Sequence, residues 1–216
     1  MKASRFTLGA ACAAAVLAVN ATAQNAAAPV VFAAPDKTDS VVAYGGIGIF
    51  QSGSSYLGTG FVLDGGAVFN VMPQLDIDAN FRYFTISKDS WTFNRLTIGG
   101  DASYCFMPGE KLNPFAGGGL FFANYKLESE SWYGGKSSDS ETKIGLKIFG
   151  GAEYEVSDEL WLRGALVFEL ISNYNDVAFQ FSGGYAVNEQ FTPYAKFEYW
   201  TDNGDVVFTV GATFKF

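Results

Sequence analysis

The sequence contains no histidine. That absence removes the commonest general base together with the commonest zinc and copper ligand, so Ser-His-Asp hydrolysis and His-ligated metal catalysis are excluded. Charge is scarce as well: Asp, Glu, Lys and Arg make up 17% of 216 residues, against about 25% in ordinary soluble domains. Basic residues are the rarer kind, 14 against 22 acidic, giving a net charge of −8. A polyanionic partner is thereby disfavoured, because nucleic-acid binders cluster Lys and Arg to neutralise phosphates, and no nucleic acid is expected. Cysteine is limited to Cys12 and Cys105. Apolar residues, by contrast, are abundant: 49% of the chain is hydrophobic, with 21 Phe and 11 Tyr. So much apolar surface must either face outward or be deeply buried.

Residues 1–23 read as a secretory signal peptide, with Lys2 and Arg5 at its start, an apolar run from Phe6 to Val19, and Ala21-Thr22-Ala23 at the expected cleavage point. The apolar run falls short of the roughly 20 residues that a transmembrane helix needs. Cleavage after Ala23 would leave 193 residues with 12 basic and 22 acidic groups and a single thiol, Cys105. One thiol forms no intramolecular disulfide even in an oxidising compartment. Residues 24–40 are Ala-rich, contain two prolines and show no periodicity, as expected of a flexible lead-in.

From Val41 to Phe216 the pattern alternates with a period of two and is broken by turn residues; no 3.6-residue period persists. Ten runs are expected to be strands: 41–50, 60–72, 75–87, 94–107, 113–128, 142–156, 160–171, 177–187, 191–200 and 206–216. Tight links (71–74, 107–111, 157–159, 188–190) alternate with longer or more polar ones (51–59, 88–93, 129–141, 172–176, 201–205). Short turns at one end and longer loops at the other predict an all-β fold. The expectation is a transmembrane antiparallel up-and-down β-barrel with short periplasmic turns and longer extracellular loops. Ten strands are expected, or eight if the first hairpin lies outside the barrel.

The alternation separates two faces. In the sixth run Ile144, Leu146, Ile148, Tyr154 and Val156 oppose Lys143, Lys147, Glu153 and Glu155. In the third, Leu75, Ile77, Phe81 and Tyr83 oppose Asp76, Asp78, Asn80 and Arg82. The apolar faces are too bulky for ten strands to enclose, whereas the opposite faces mix glycines with charges. The apolar face is therefore read as the lipid-facing exterior and the other as a packed, polar lumen. Aromatics near the turns (Tyr104, Phe106, Phe115, Tyr154, Tyr185, Phe191) and near the loops (Tyr83, Tyr125, Phe168, Phe179, Tyr199) are expected to form two interfacial girdles.

The last eight residues, Thr209-Val210-Gly211-Ala212-Thr213-Phe214-Lys215-Phe216, carry a polar residue, a glycine two places on, an apolar residue and a terminal aromatic. They resemble the C-terminal assembly signal of bacterial outer-membrane barrels, with Thr209, Gly211, Phe214 and Phe216 at its defining positions. Together with the export signal and the alternating strands, the stretch from Val41 to Phe216 resembles the small bacterial outer-membrane β-barrel proteins of the porin-like, OmpA/OmpX-type superfamily. The resemblance implies export, insertion by the barrel-assembly machinery through the C-terminal strand, contact with outer-membrane lipid, and residence in a Gram-negative-type outer membrane.

Enzymes on this architecture, among them outer-membrane proteases, phospholipases and lipid A-modifying enzymes, use a catalytic His that this chain lacks. No enzymatic activity, cofactor or metal is expected. Projected inward by parity are eight basic groups, Arg82, Arg95, Lys126, Lys143, Lys147, Arg163, Lys196 and Lys215. Nine acidic groups join them: Asp64, Asp76, Asp78, Asp101, Glu128, Glu153, Glu155, Glu169 and Glu198. Near-balance predicts a cross-linked plug, whereas a selective pore calls for a ring of one sign. An envelope-structural or surface-interaction role is expected, with a narrow porin-like channel for small solutes or ions as the alternative. Trp132 and Tyr133, set among Ser and Gly in the 129–141 link, are the candidate contacts for an extracellular ligand. Thr201–Asp205 is read as an Asn-Gly hairpin turn rather than a calcium loop. Cys105 is read as a buried small residue.

Overall fold

The computed structural model describes residues 40–53, 58–130, 135–172 and 174–216. The proposed signal peptide, nearly all of the lead-in, and Trp132 and Tyr133 lie outside these residues.

Ten antiparallel strands close into a barrel in which each strand pairs with its sequence neighbours and β1 pairs with β10. They are β1 (Val41–Gln51), β2 (Thr59–Met72), β3 (Leu75–Lys88), β4 (Trp91–Cys105), β5 (Leu112–Glu130), β6 (Lys136–Glu155), β7 (Leu160–Ile171), β8 (Tyr174–Tyr185), β9 (Phe191–Trp200) and β10 (Asp205–Lys215). The first hairpin is part of the wall, so the count is ten and not eight. Closure runs from Val42↔Lys215 to Gln51↔Val206 and leaves no sheet edge around the body of the barrel.

The links at the loop end are shorter than the sequence suggests because strands continue into them. The hairpin between β3 and β4 turns on Asp89-Ser90 alone, with Asp89 at φ 52°, a left-handed conformation that Asp tolerates better than most residues. β5 and β6 run on to Glu130 and Lys136, absorbing most of the proposed 129–141 loop. Asn203-Gly204 does form the turn into β10, with Gly204 at φ 69°.

The apolar face points outward. Ile144, Leu146 and Ile148 on β6, Leu120 and Phe122 on β5, and Phe208, Val210 and Phe214 on β10 are all exposed. An apolar belt on the outside of a closed barrel is what lipid stabilises and water does not. Two of the proposed girdle residues, Phe115 and Tyr125, instead point inward and are buried. On β5 the odd positions face the lumen, so both belong to the interior.

Candidate functional site

The barrel interior holds the chemistry, and it is layered. At mid-height the β2, β3 and β9 strands bring together Asp64, Arg82, Lys196 and Glu198. Arg82 holds Glu198 with both prongs of its guanidinium, Nη1 to Oε2 at 2.9 Å and Nη2 to Oε1 at 2.8 Å. Its Nη2 also donates to Asp64 Oδ2 at 3.2 Å. Lys196 Nζ donates to the same Asp64 oxygen at 2.5 Å and lies 3.4 Å from Glu198 Oε1. Two cations and two anions thus neutralise one another where an isolated charge would cost several kcal/mol.

A second group lies beside it. Lys147 donates to Asp101, and Asn80 Nδ2 bridges Asp101 at 2.8 Å and Asp78 at 2.9 Å. Tyr44 donates its hydroxyl to Asp78 at 3.1 Å. Nearer the turns, Asn70 Nδ2 donates to Asp76 at 2.5 Å and Ser40 Oγ to Asn70 Oδ1 at 2.5 Å. Cys105 is buried with its sulfur 3.8 Å from Asp76 Oδ2. Arg163 faces Glu153 at 3.9 Å and lies 3.8 Å over the Phe115 ring, while Arg95 faces Glu169 at 4.0 Å and lies 5.3 Å over Tyr125. These two guanidinium groups are held by ring faces and longer-range attraction rather than by two-pronged pairs.

Five of the proposed lumen charges sit elsewhere. Lys126 and Glu128 share the outward parity of Leu120 and Phe122 on β5; they pair with each other at 2.5 Å, both 46% exposed, above the apolar belt. They are not lumen residues. Lys143, Glu155 and Lys215 have inward parity but lie near the barrel's ends and are only partly buried. Lys143 pairs with exposed Glu141 at 3.2 Å and not with the network. Conversely, Asp176 and Asp205, placed in links by the alternation, are buried. Asp205 accepts from Ser52 Oγ at 3.1 Å and from the Gly53 amide at 3.0 Å, and Asp176 accepts from the Asp202 amide at 3.2 Å. They tie the loop-end links to the barrel. Among the buried charges, acidic groups therefore outnumber basic ones more than the parity projection suggests.

The feature that sequence reasoning missed is an apolar layer across the loop end of the lumen. Phe50, Phe84, Phe93 and Tyr125, from β1, β3, β4 and β5, form a chain of rings with centroids 4.5, 6.0 and 6.3 Å apart. Val62, Ile171, Ala178, Trp200 and Val207 complete it from β2, β7, β8, β9 and β10. Phe50 is 0% and Trp200 1% exposed, and the carboxylate of Glu198 beneath them is also at 0%. Trp200 Nε1 lies 3.4 Å from Glu198 Oε2, which links the apolar layer to the ionic one. The signal was available: Phe84 and Ile86 share the parity of Arg82, so β3 turns apolar on its inner face toward the loops. The same apolar cluster continues down the β5–β6 wall through Phe121, Phe149 and Phe115.

The assembly-signal positions are divided between the faces. Thr209 is buried in the lumen, Gly211 lies against Tyr194, and Phe214 and Phe216 project outward with ring centroids 5.0 Å apart. Among the described residues, no three Cys, Asp or Glu side chains are arranged to hold a metal ion.

Residues 86–191, from the end of β3 to the first residue of β9, match the model of the Opacity family porin protein. No curated protein sequence matches the chain. Among solved structures, the outer-membrane protease OmpT of Escherichia coli superposes with a TM-score of 0.50 at 10% identity, covering 82% of this chain and 97% of that one. The Neisserial surface protein NspA gives 0.43 at 19% identity over 82% and 95% of the two chains. OprG of Pseudomonas aeruginosa gives 0.43 at 12% over 82% and 96%. The likeness to these structures is one of fold, a closed antiparallel β-barrel, and the family match covers just under half of the chain.

Proposed function

We propose that this outer-membrane barrel protein is a membrane-spanning, non-conducting envelope component that works as a structural element or through its external surface, with its lumen filled by side chains. The observation that carries the reading is the stack of an apolar ring layer on a paired ionic layer. An ion entering from the loop end would first have to cross the layer containing Phe50 and Trp200, which is lined by rings and aliphatic side chains and whose polar groups are the Tyr125 hydroxyl and the Trp200 N–H turned toward Glu198. It would then meet carboxylates already held by Arg82 and Lys196. Ten strands enclose little more than the eight whose interior side chains just fill a barrel. Outer-membrane lipid contacts the apolar belt in this reading, the barrel-assembly machinery receives the C-terminal strand, and no reaction is assigned because the chain has no His.

The test is single-channel recording on the folded protein in planar bilayers. The expected result is no steady conductance at the level of a general porin; sustained openings of that size would overturn the proposal. The second reading, a narrow channel for small solutes or ions, is favoured by the match of residues 86–191 to a porin family. It predicts small, steady openings in the same recording.

A further inference from the structure

On the turn side of the lumen, carboxylates outnumber the cations that can answer them. Asp76 and Asp78 on β3, Asp101 on β4 and Glu153 on β6 are all buried, and the basic groups within electrostatic reach of them are Lys147 on β6 and Arg163 on β7. Arg82 and Lys196 are taken up at mid-height by Asp64 and Glu198. Four acids are thus left with two cations among the described residues.

Three of the four have partners on both oxygens or a cation of their own. Glu153 faces Arg163 at 3.9 Å, and Asp101 accepts from Lys147 and from Asn80 at 2.8 Å. Asp76 accepts from Asn70 at 2.5 Å, with Cys105 Sγ 3.8 Å from its other oxygen. Asp78 is the exception. It stands directly opposite Asp101 in the β3–β4 ladder, where paired residues have Cα atoms about 4.5–5.5 Å apart. Its Oδ2 accepts from Tyr44 at 3.1 Å and Asn80 at 2.9 Å, both neutral donors. Its Oδ1 is buried and has no donor among the described residues.

The surrounding strands bring no further cation to Asp78. Tyr44 comes from β1 and Tyr194 from β9, Asp64 adds a like charge from β2, and β5 sets Gly119 opposite Asp101. Arg163 is within reach, but its one ion pair is with Glu153 and its guanidinium lies 3.8 Å over the Phe115 ring. Two carboxylates side by side in a dry interior, with one lysine between them, are far costlier ionised together than with one neutralised. A proton on Asp78 turns a charged oxygen that lacks a donor into a neutral hydroxyl, whereas Asp101 already has Lys147.

We propose that Asp78 and Asp101 hold one proton between them in the folded barrel, carried on Asp78, which makes this part of the lumen a proton-binding site that couples the barrel's stability to pH. In the unfolded chain both side chains are ordinary carboxylates and release that proton. The folded state therefore binds one proton more, and its stability falls as pH rises until the folded barrel releases the proton too. The absence of histidine makes the effect readable, because no other side chain of ordinary behaviour changes charge between about pH 5 and pH 8.

The test is urea unfolding of the full-length protein in detergent micelles, followed by tryptophan fluorescence at several pH values in that window. The parent's ratio of folded to unfolded protein is expected to fall as pH rises, by up to about tenfold per pH unit while the proton is held. Asp78→Asn, a neutral side chain of the same shape, is expected to flatten the profile. Asp158→Asn, at an exposed carboxylate in the turn after β6, is expected to keep the parent's slope. A parent profile that is flat or rises with pH, an unchanged slope in Asp78→Asn, or equal flattening by Asp158→Asn would each overturn the proposal. Should Asp78→Asn not fold, an indicator dye in weakly buffered solution reads the parent directly. Unfolding near pH 6 is then expected to release protons, and no release overturns the proposal. None of these outcomes bears on conductance, so failure here and failure of the non-conducting reading are separate results.

Discussion

Arg82 and Glu198 lie 116 residues apart in the chain yet meet as a two-pronged ion pair in the barrel interior, at 2.8 and 2.9 Å. The pair joins β3 to β9 across the lumen, between strands that share no ladder. It also anchors Asp64 and Lys196, and through Glu198 it touches Trp200.

Removing one partner should therefore cost more than removing two. Arg82→Met leaves Glu198 and Asp64 with Lys196 as their only cation, and a destabilisation of about 3–5 kcal/mol is expected. Adding Glu198→Gln should recover part of that loss, because Asp64 and Lys196 still pair. Urea titration of the detergent-folded protein, followed by the gel shift between folded and unfolded forms, measures both variants. A single variant as stable as the parent would show the pair to be idle.

The apolar layer should act as the seal. Trp200→Ala removes the largest fully buried side chain, at an expected cost of about 3–5 kcal/mol. The opening it leaves lies directly over Glu198. Flickering openings in planar bilayers are expected from this variant and not from the parent. If the variant stays as electrically silent as the parent, the seal lies elsewhere.

Close packing at one glycine gives a rescue experiment. A Cβ on Gly145 would come within 2.2 Å of the Phe121 ring, and the three nearest atoms all belong to that ring. Gly145→Ala should destabilise by about 1–3 kcal/mol through overpacking. Phe121→Leu in the same chain should restore part of it. Additive losses in the double variant would contradict the contact.

The outer face supplies a depth-dependent prediction. Ile148→Lys places a cation near the middle of the apolar belt and should cost about 2–4 kcal/mol in lipid vesicles. Ser140→Lys, at the same parity above the belt, should be close to neutral. Equal effects at the two positions would argue against the placement of the lipid boundary.

Much of this architecture is legible in residue order because a strand's side chains alternate strictly. The faces of β3, β6 and β10 follow directly, and bulk on one face with charge on the other points to an inverted barrel. Legibility fails where both faces change character together. Toward the loops β3 reads Tyr83-Phe84-Thr85-Ile86, and parity alone places Phe84 and Ile86 inside without saying that they close the lumen. On β5, Lys126 and Glu128 look like lumen charges until the parity of Phe122 is carried forward to them. Asp176 and Asp205 look like loop residues because strand ends blur into polar links. In the fold they accept amides that would otherwise lack partners.

The sequence by itself determined the alternation and which face is apolar, since each depends on residues only one or two positions apart, and it narrowed the strand count to ten or eight. The tertiary structure alone decided which inward residues meet: Arg82 with Glu198, Lys147 with Asp101, Phe50 with Phe84. Their heights and distances depend on how the closed barrel staggers its strands. It alone also decided that the first hairpin joins the wall and that β6 outruns β7, because pairing is a relation between strands that neither strand's residues specify separately.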